Sequence, residues 1–145
     1  MTSFTNYLEE EANAIAYTAG RLTSDHVENA LTLINDCFER KSKLIITGVG
    51  KSGIVCRKIA ATFTSIGITG LYLNPLDALH GDIGIVSSSD VIILISNSGE
   101  TEELIQILPH LKLRGSKIIS IVGNINSAIA QSADVILDGS VNKES

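Results

Sequence analysis

The sequence predicts an α/β fold, a five-stranded open parallel sheet flanked by helices, and three observations carry that prediction. Short apolar runs rich in β-branched residues recur at 44–47, 70–73, 91–95, 117–122 and 134–137. They lack polar alternation, as strands covered on both faces do. Stretches of helical spacing lie between most of them, the pattern of a parallel sheet with crossover helices. At 145 residues, 44% hydrophobic and 19% charged, the chain suits one domain with one core, and intrinsic disorder is excluded.

Residues 5–20 read as a helix with apolar or small residues on one side and Glu9, Glu10 and Glu11 on the other. Asp25 with Glu28 resembles a capping box opening a second helix. There Val27, Ala30, Leu31, Ile34, Cys37 and Phe38 keep helical spacing. The period changes after Lys43, and Leu44–Thr47 is the first strand, ending at Gly48. A helix over 52–66 is stopped by Gly67, and 70–73 is the second strand. Val91–Ile95 is the clearest strand, followed by a helix over 100–114 that Pro109 should kink. A strand at 117–122, a short helix at 126–132 and a strand at 134–137 complete the chain. No repeat, low-complexity stretch or long linker divides it, so residues 1–145 are read as a single domain.

Eleven Lys+Arg against sixteen Asp+Glu give a net charge of −5 with no basic block. No nucleic-acid partner is expected, although a local basic pocket for a small anion remains open. The longest wholly apolar run, Val91–Ile95, is far short of the ~20 residues that span a bilayer, so no membrane partner is expected. The N-terminus has neither a positive region nor an apolar one, and a cytoplasmic location is the expectation. Cys37 and Cys56 form neither a metal-ligand cluster nor a disulfide framework and read as buried thiols.

Open parallel sheets bind ligands beyond the carboxyl ends of their strands, near the topological switch point. The chemistry should therefore follow residues 47, 73, 95, 122 and 137. After the first strand comes Gly48-Val49-Gly50-Lys51-Ser52-Gly53, a match to the dinucleotide pattern G-x-G-x-x-G. An NAD site wants an acidic residue at the end of the second strand, where Asn74 stands. A Walker A loop would need its first glycine at Ile45. Lys51 is either a charge in the mouth of the sheet or a solvated lysine at a helix start.

After the third strand comes Ser96-Asn97-Ser98-Gly99-Glu100-Thr101-Glu102-Glu103. Three hydroxyls around a glycine at a helix N-terminus form a cradle for phosphate. An ordinary N-cap would account for one of them. In the strand order 2-1-3-4-5 the first and third strands are neighbours, so the Lys51 and Ser98 loops should face each other. His80, flanked by Gly81, lies off any apolar periodic face and is either a proton carrier or a surface residue. His26 and His110 fall on helix patterns and read as structural or solvated.

Gly-Val-Gly-Lys-Ser-Gly, Leu-His-Gly-Asp-Ile-Gly and Ser-Asn-Ser-Gly-Glu-Thr-Glu-Glu, in this order and spacing, resemble the sugar isomerase (SIS) domain. More narrowly they resemble the D-arabinose 5-phosphate isomerases, including those encoded with capsule and lipopolysaccharide genes. The resemblance implies a five-stranded parallel sheet in flavodoxin-like order. It implies interconversion of D-ribulose 5-phosphate and D-arabinose 5-phosphate for synthesis of the sugar acid Kdo, with no cofactor and with a sugar phosphate as partner. It places the family's catalytic positions on Lys51, His80, Glu103 and Glu144. Substrate contacts fall on the turn Ser96, Asn97, Ser98, Gly99 and Thr101, on Gly50 and Ser52, and on Gly67 and Ile68. It also implies a homo-oligomer, a tetramer with sites near subunit interfaces.

The chain departs from that family in three ways. Many relatives carry two CBS domains after the SIS domain, and none follows here. Many have a histidine that can take an inhibitory zinc where this chain has Asn74, so no metal is expected. The family's domain also continues for several tens of residues and includes a further histidine, so the chain reads as lacking its C-terminal segment. On that reading it binds phosphosugar but turns it over feebly.

In the reaction so implied, Glu103 and Glu144 are the proton carriers, His80 assists ring opening or shuttles a hydroxyl proton, and Lys51 stabilises negative charge. Which carboxylate is the base stays open. The alternative is a non-catalytic phosphosugar sensor, which needs the serine cradle but not all four of those side chains. The apolar stripe Val27, Leu31, Ile34 and Phe38, with the small face Ala12, Ala16 and Ala19, predicts a subunit interface.

Overall fold

Leu44, Ile45 and Ile46 are all fully buried, as a strand covered on both faces requires, and they form the centre of the sheet. The computed structural model describes residues 3–142. Its elements run α1 (Phe4–Arg21), α2 (Ser24–Glu39), β1 (Leu44–Thr47), α3 (Lys51–Ser65), β2 (Gly70–Tyr72) and α4 (Pro75–Leu79). After a 3-10 turn at Asp82–Ile85 come β3 (Val91–Ser96), α5 (Glu102–Leu113), β4 (Lys117–Val122), α6 (Ala128–Ser132) and β5 (Val135–Asp138). Every strand pair is parallel and the order is β2-β1-β3-β4-β5, as the sequence predicts.

Alternation along the strands divides the core into two layers. Ile45, Ile92 and Ile118 are register partners and pack with Leu104, Ile107 and Leu111 of α5 and Ile129 of α6. Ile46, Ile93 and Ile119 face the opposite way, toward Ala30 and Cys37 of α2 and Cys56 and Ala60 of α3. Burial pushes both thiols up, that of Cys56 to about 11. None of the helices among the described residues is long and apolar enough to cross a membrane.

Two expectations change in detail. The cap of α2 is Thr23, whose Oγ1 accepts the His26 N–H, while Asp25 and Glu28 lie inside the helix. The α2 stripe is divided: Ile34 packs on the sheet layer, whereas Leu31 and Phe38 stay about half exposed. Helix α5 runs through Pro109 to Leu113, within the predicted span.

Asp90 fastens the amino ends of the two central strands, a role with no signature in the sequence pattern. Its buried carboxylate accepts N–H bonds from Lys43 (2.9 Å) and Ser87 (2.8 Å) and meets the Lys43 ammonium at 2.9 Å. Burial alone would raise its pKa. The Lys43 ammonium and the Ser87 and Lys43 N–H groups outweigh that and hold it below the ordinary 3.8. The folded state therefore favours the carboxylate, and the resulting stability is present above the unfolded pKa and lost as pH falls through the folded one. Asp90→Asn should cost roughly 2 kcal/mol at pH 7. In urea titrations that deficit should shrink steadily once the pH drops below about 3.8. An equal deficit at pH 7 and pH 2 would show that the charge is not what Asp90 contributes.

Candidate functional site

The turn from β1 into α3 depends on its glycines. Gly50 is the N-cap of α3 at φ 62° and ψ −128°, a conformation that side chains disfavour. A Cβ on Gly53 would lie 2.8 Å from the Gly48 carbonyl oxygen, so helix and strand approach closely there. The Tyr72 hydroxyl donates to that same carbonyl at 2.9 Å. The glycine pattern is thus accounted for by strand–helix packing. No side chain caps α3. Lys51 is exposed at its first position, makes none of the ion pairs among the described residues, and is followed by half-buried Ser52.

The turn from β3 into α5 is built largely from its own polar groups. The Ser96 Oγ is buried, accepts the Gly99 N–H at 3.0 Å and lies 2.7 Å from Thr101 Oγ1. Exposed Ser98 accepts the Glu100 N–H at 3.1 Å, which leaves its own hydroxyl proton available. Thr101 is the N-cap of α5, yet its side chain makes no capping bond. The first turn of α5 therefore presents uncapped N–H groups beside the Ser98 hydroxyl.

Helix α6 braces this turn from behind. The Ala128 N–H donates to Glu100 Oε1 (2.8 Å) and the Ile129 N–H to the Gly99 carbonyl (3.1 Å). Gly99 has φ 68°, and a Cβ there would stand 1.9 Å from Ser127 Oγ. Asn97 is held through its carbonyl, which accepts the Gly123 N–H at 2.8 Å.

Because β1 and β3 are neighbours, the two turns open side by side. A cavity of ≈ 890 Å³ is lined by Lys51 and Asn97 from these turns, by Tyr7, Glu10, Glu11, Asn13, Ala14 and Tyr17 of α1, and by Val141 and Asn142. The expected meeting of the Lys51 and Ser98 loops is found. The α1 wall is not legible in the sequence, where the glutamates read as a solvated face. Its signal is the spacing of Tyr7, Glu10, Ala14 and Tyr17, which share one helix face.

The other expected site residues are distributed unevenly. Glu103 is half-buried in the first turn of α5, where a negative charge suits the helix dipole. His80 ends α4, exposed, with Nδ1 2.8 Å from the Leu76 carbonyl. A carbonyl only accepts, so Nδ1 carries the proton and Nε2 of the neutral ring is the acceptor. Neither lines the Lys51 cavity. Gly67 and Ile68 lie elsewhere in the chain. They precede β2 at the amino end of the sheet and border a separate hollow with Phe38, Glu39 and Lys41, so one chain does not bring them to this mouth. Glu144 lies outside the described residues. Asn74, the neutral residue that argues against NAD, caps α4 through Leu76 N–H at 2.9 Å. His26 and His110 are exposed. Among the described residues no three His, Cys, Asp or Glu side chains are grouped to hold a metal ion.

The sequence profile of the SIS domain matches residues 38–145. The chain belongs to the SIS domain family. This SIS domain is 41% identical over 138 residues to arabinose 5-phosphate isomerase KpsF of Escherichia coli O6:H1, covering 95% of this chain and 41% of that protein. It is 40% identical over 131 residues to arabinose 5-phosphate isomerase KdsD of Pseudomonas aeruginosa, covering 85% and 40%. The chain spans about two-fifths of the length of these curated relatives. The solved structure of Escherichia coli CFT073 c3406 in complex with arabinose 5-phosphate superposes with a TM-score of 0.87 at 35% identity, covering 99% of this chain and 78% of that one.

The serines of the SIS turn should separate in their effects. Ser96→Ala leaves the Gly99 N–H without its acceptor in a buried place and should cost about 1–3 kcal/mol in urea denaturation. Ser98→Ala should change stability by no more than about 0.5 kcal/mol. In calorimetric titration it should nevertheless weaken inorganic phosphate binding several-fold. The reverse ranking of stabilities would refute this division of roles.

Proposed function

We propose that the protein is an aldose–ketose isomerase interconverting D-ribulose 5-phosphate and D-arabinose 5-phosphate through an enediolate, as part of Kdo synthesis. The observation that carries this reading is the opening of the β1–α3 and β3–α5 turns side by side at the switch point, with Lys51 of one and Asn97 of the other lining one cavity. The names of the relatives, and the arabinose 5-phosphate bound by the Escherichia coli protein, support the choice of substrate.

In this reading the substrate's phosphate sits on the 96–101 turn, bound by the Ser98 hydroxyl and the first N–H groups of α5. Ser96 and Thr101 act there by holding the turn in shape. Gly50 and Ser52 border the Lys51 side, and Asn97 and Gly99 shape the phosphate side. Phosphate binding remote from the reacting carbons supplies orientation. A carboxylate takes the proton from one carbon and returns it to the next. Glu103 and Glu144 are assigned to that transfer. His80, acting through Nε2, accepts and returns a hydroxyl proton. The Lys51 ammonium stabilises the enediolate oxygen. The chemistry needs no redox cofactor.

Helix α1 has no buried residue, while Phe4, Leu8 and Ile15 are 77%, 56% and 71% exposed. Leu31 and Phe38 of α2 and Ile54 and Val55 of α3 add further exposed apolar surface. Such surface on an 18-residue helix calls for a partner. We infer a homo-oligomer, a tetramer by analogy with the family.

Lys51→Met keeps the apolar stem and removes the ammonium. Melting should stay near the parental value, while kcat/KM for ribulose 5-phosphate falls at least ~100-fold, or ~2.7 kcal/mol of transition-state stabilisation. Unchanged turnover would return Lys51 to the solvated surface. Tight binding with no turnover, in parent and variant alike, would favour the phosphosugar sensor. In light scattering at micromolar concentration the parent should exceed monomer mass, and Leu8→Glu with Ile15→Glu should shift it toward monomer. A monomeric parent would overturn the oligomer assignment.

A further inference from the structure

We propose that Arg21 is a positioning residue for the sugar end of the substrate, pinning the cavity-lining face of α1 to the segment that leaves β5. The inference rests on the sugar-phosphate reading above. With no buried residue, α1 is not held in place by core packing of its own. Arg21, in its last turn, supplies a specific attachment instead. Its Nη1 donates to Asp138 Oδ2 at 3.2 Å and to Ser140 Oγ. Its Nη2 donates to the Ser140 carbonyl and, at 3.5 Å, to Thr18 Oγ1. The guanidinium also stacks over Tyr17, 4.3 Å from the ring centroid.

The receiving segment is itself fixed to the sheet. The Gly139 N–H donates to the Val122 carbonyl at 2.8 Å, and the Ser140 N–H to Asp138 Oδ1 at 2.9 Å. Val141 and Asn142 come next, and they border the cavity together with Tyr17. One planar fork thus sets two walls at once, Tyr17 on α1 and residues 141–142 beyond β5. An ammonium could not reproduce that geometry. The phosphate turn is braced separately, by Ser96 and by α6. The two ends of the ligand therefore depend on different scaffolds.

That separation gives the test. Inorganic phosphate and D-ribulose 5-phosphate are titrated calorimetrically into the parent, Arg21→Met, Arg21→Lys and the milder Asp138→Asn. Arg21→Met should leave phosphate affinity within about twofold and weaken ribulose 5-phosphate about tenfold, close to 1.4 kcal/mol. Arg21→Lys should recover only part of that loss, and Asp138→Asn should fall in the same direction even if Arg21→Met does not fold. A second readout uses the absence of tryptophan and the presence of three tyrosines, two of which line the cavity. Ribulose 5-phosphate should change tyrosine emission in the parent and much less in Arg21→Met. Equal weakening of both ligands, or no change in either, overturns the role of Arg21. A parent that does not bind D-ribulose 5-phosphate overturns the function itself, and this inference with it.

Discussion

The adjacency of β1 and β3 is the constraint on which the rest of the structure depends. Right-handed crossovers send α3 to one face of the sheet and α5 to the other, and the two departing turns are left open between them. Both helices begin at that opening, so both present backbone N–H groups to it. An anion binding there meets aligned dipoles with little reorganisation. The chemistry of this site is thereby separated from the task of folding. The apolar layers fix the turns from behind, and the exposed side chains at the mouth are free to serve a ligand.

Much of this was legible because the sheet is buried on both faces. The runs at 44–47, 91–95 and 117–122 have no polar alternation, so their burial and parallel pairing could be read directly, and the strand order followed with the meeting of the two turns. Asp90 was not legible, since a lone aspartate before a strand looks like any loop residue until its three donors converge. The α2 cap was assigned two residues late because Asp25 and Glu28 mimic the capping pattern that Thr23 actually fulfils. Gly67 and Ile68 came from resemblance alone, and chain topology sets them at the opposite end of the sheet. The wall formed by α1 was hidden by its own composition. A face bearing Glu10 and Glu11 reads as solvated, and only the fold shows that it borders a cavity.

The hydroxyls after β3 show how one motif carries two kinds of work. Counted in the sequence, Ser96, Ser98 and Thr101 look equivalent. In the structure Ser96 is consumed in holding Gly99 and Thr101, while Ser98 keeps a proton to offer. Gly99 fits closely against Ser127. A turn so tightly built keeps its shape when empty, and a site that is already in shape loses little ordering entropy when a ligand arrives.

The buried thiols carry a practical consequence. Oxidation and alkylation proceed through the thiolate, and a thiol titrating at about 11 offers roughly one thiolate in ten thousand at neutral pH. Cys56 lies on the buried face of α3, shielded from reagent as well as from deprotonation, and Cys37 is buried with it in the same layer. The protein thus supplies its own silent background for chemical labelling. A cysteine introduced on the exposed face of α1 would be the preferred target of a maleimide probe, with both native residues left in place, so the helix could be followed spectroscopically in an otherwise unaltered chain.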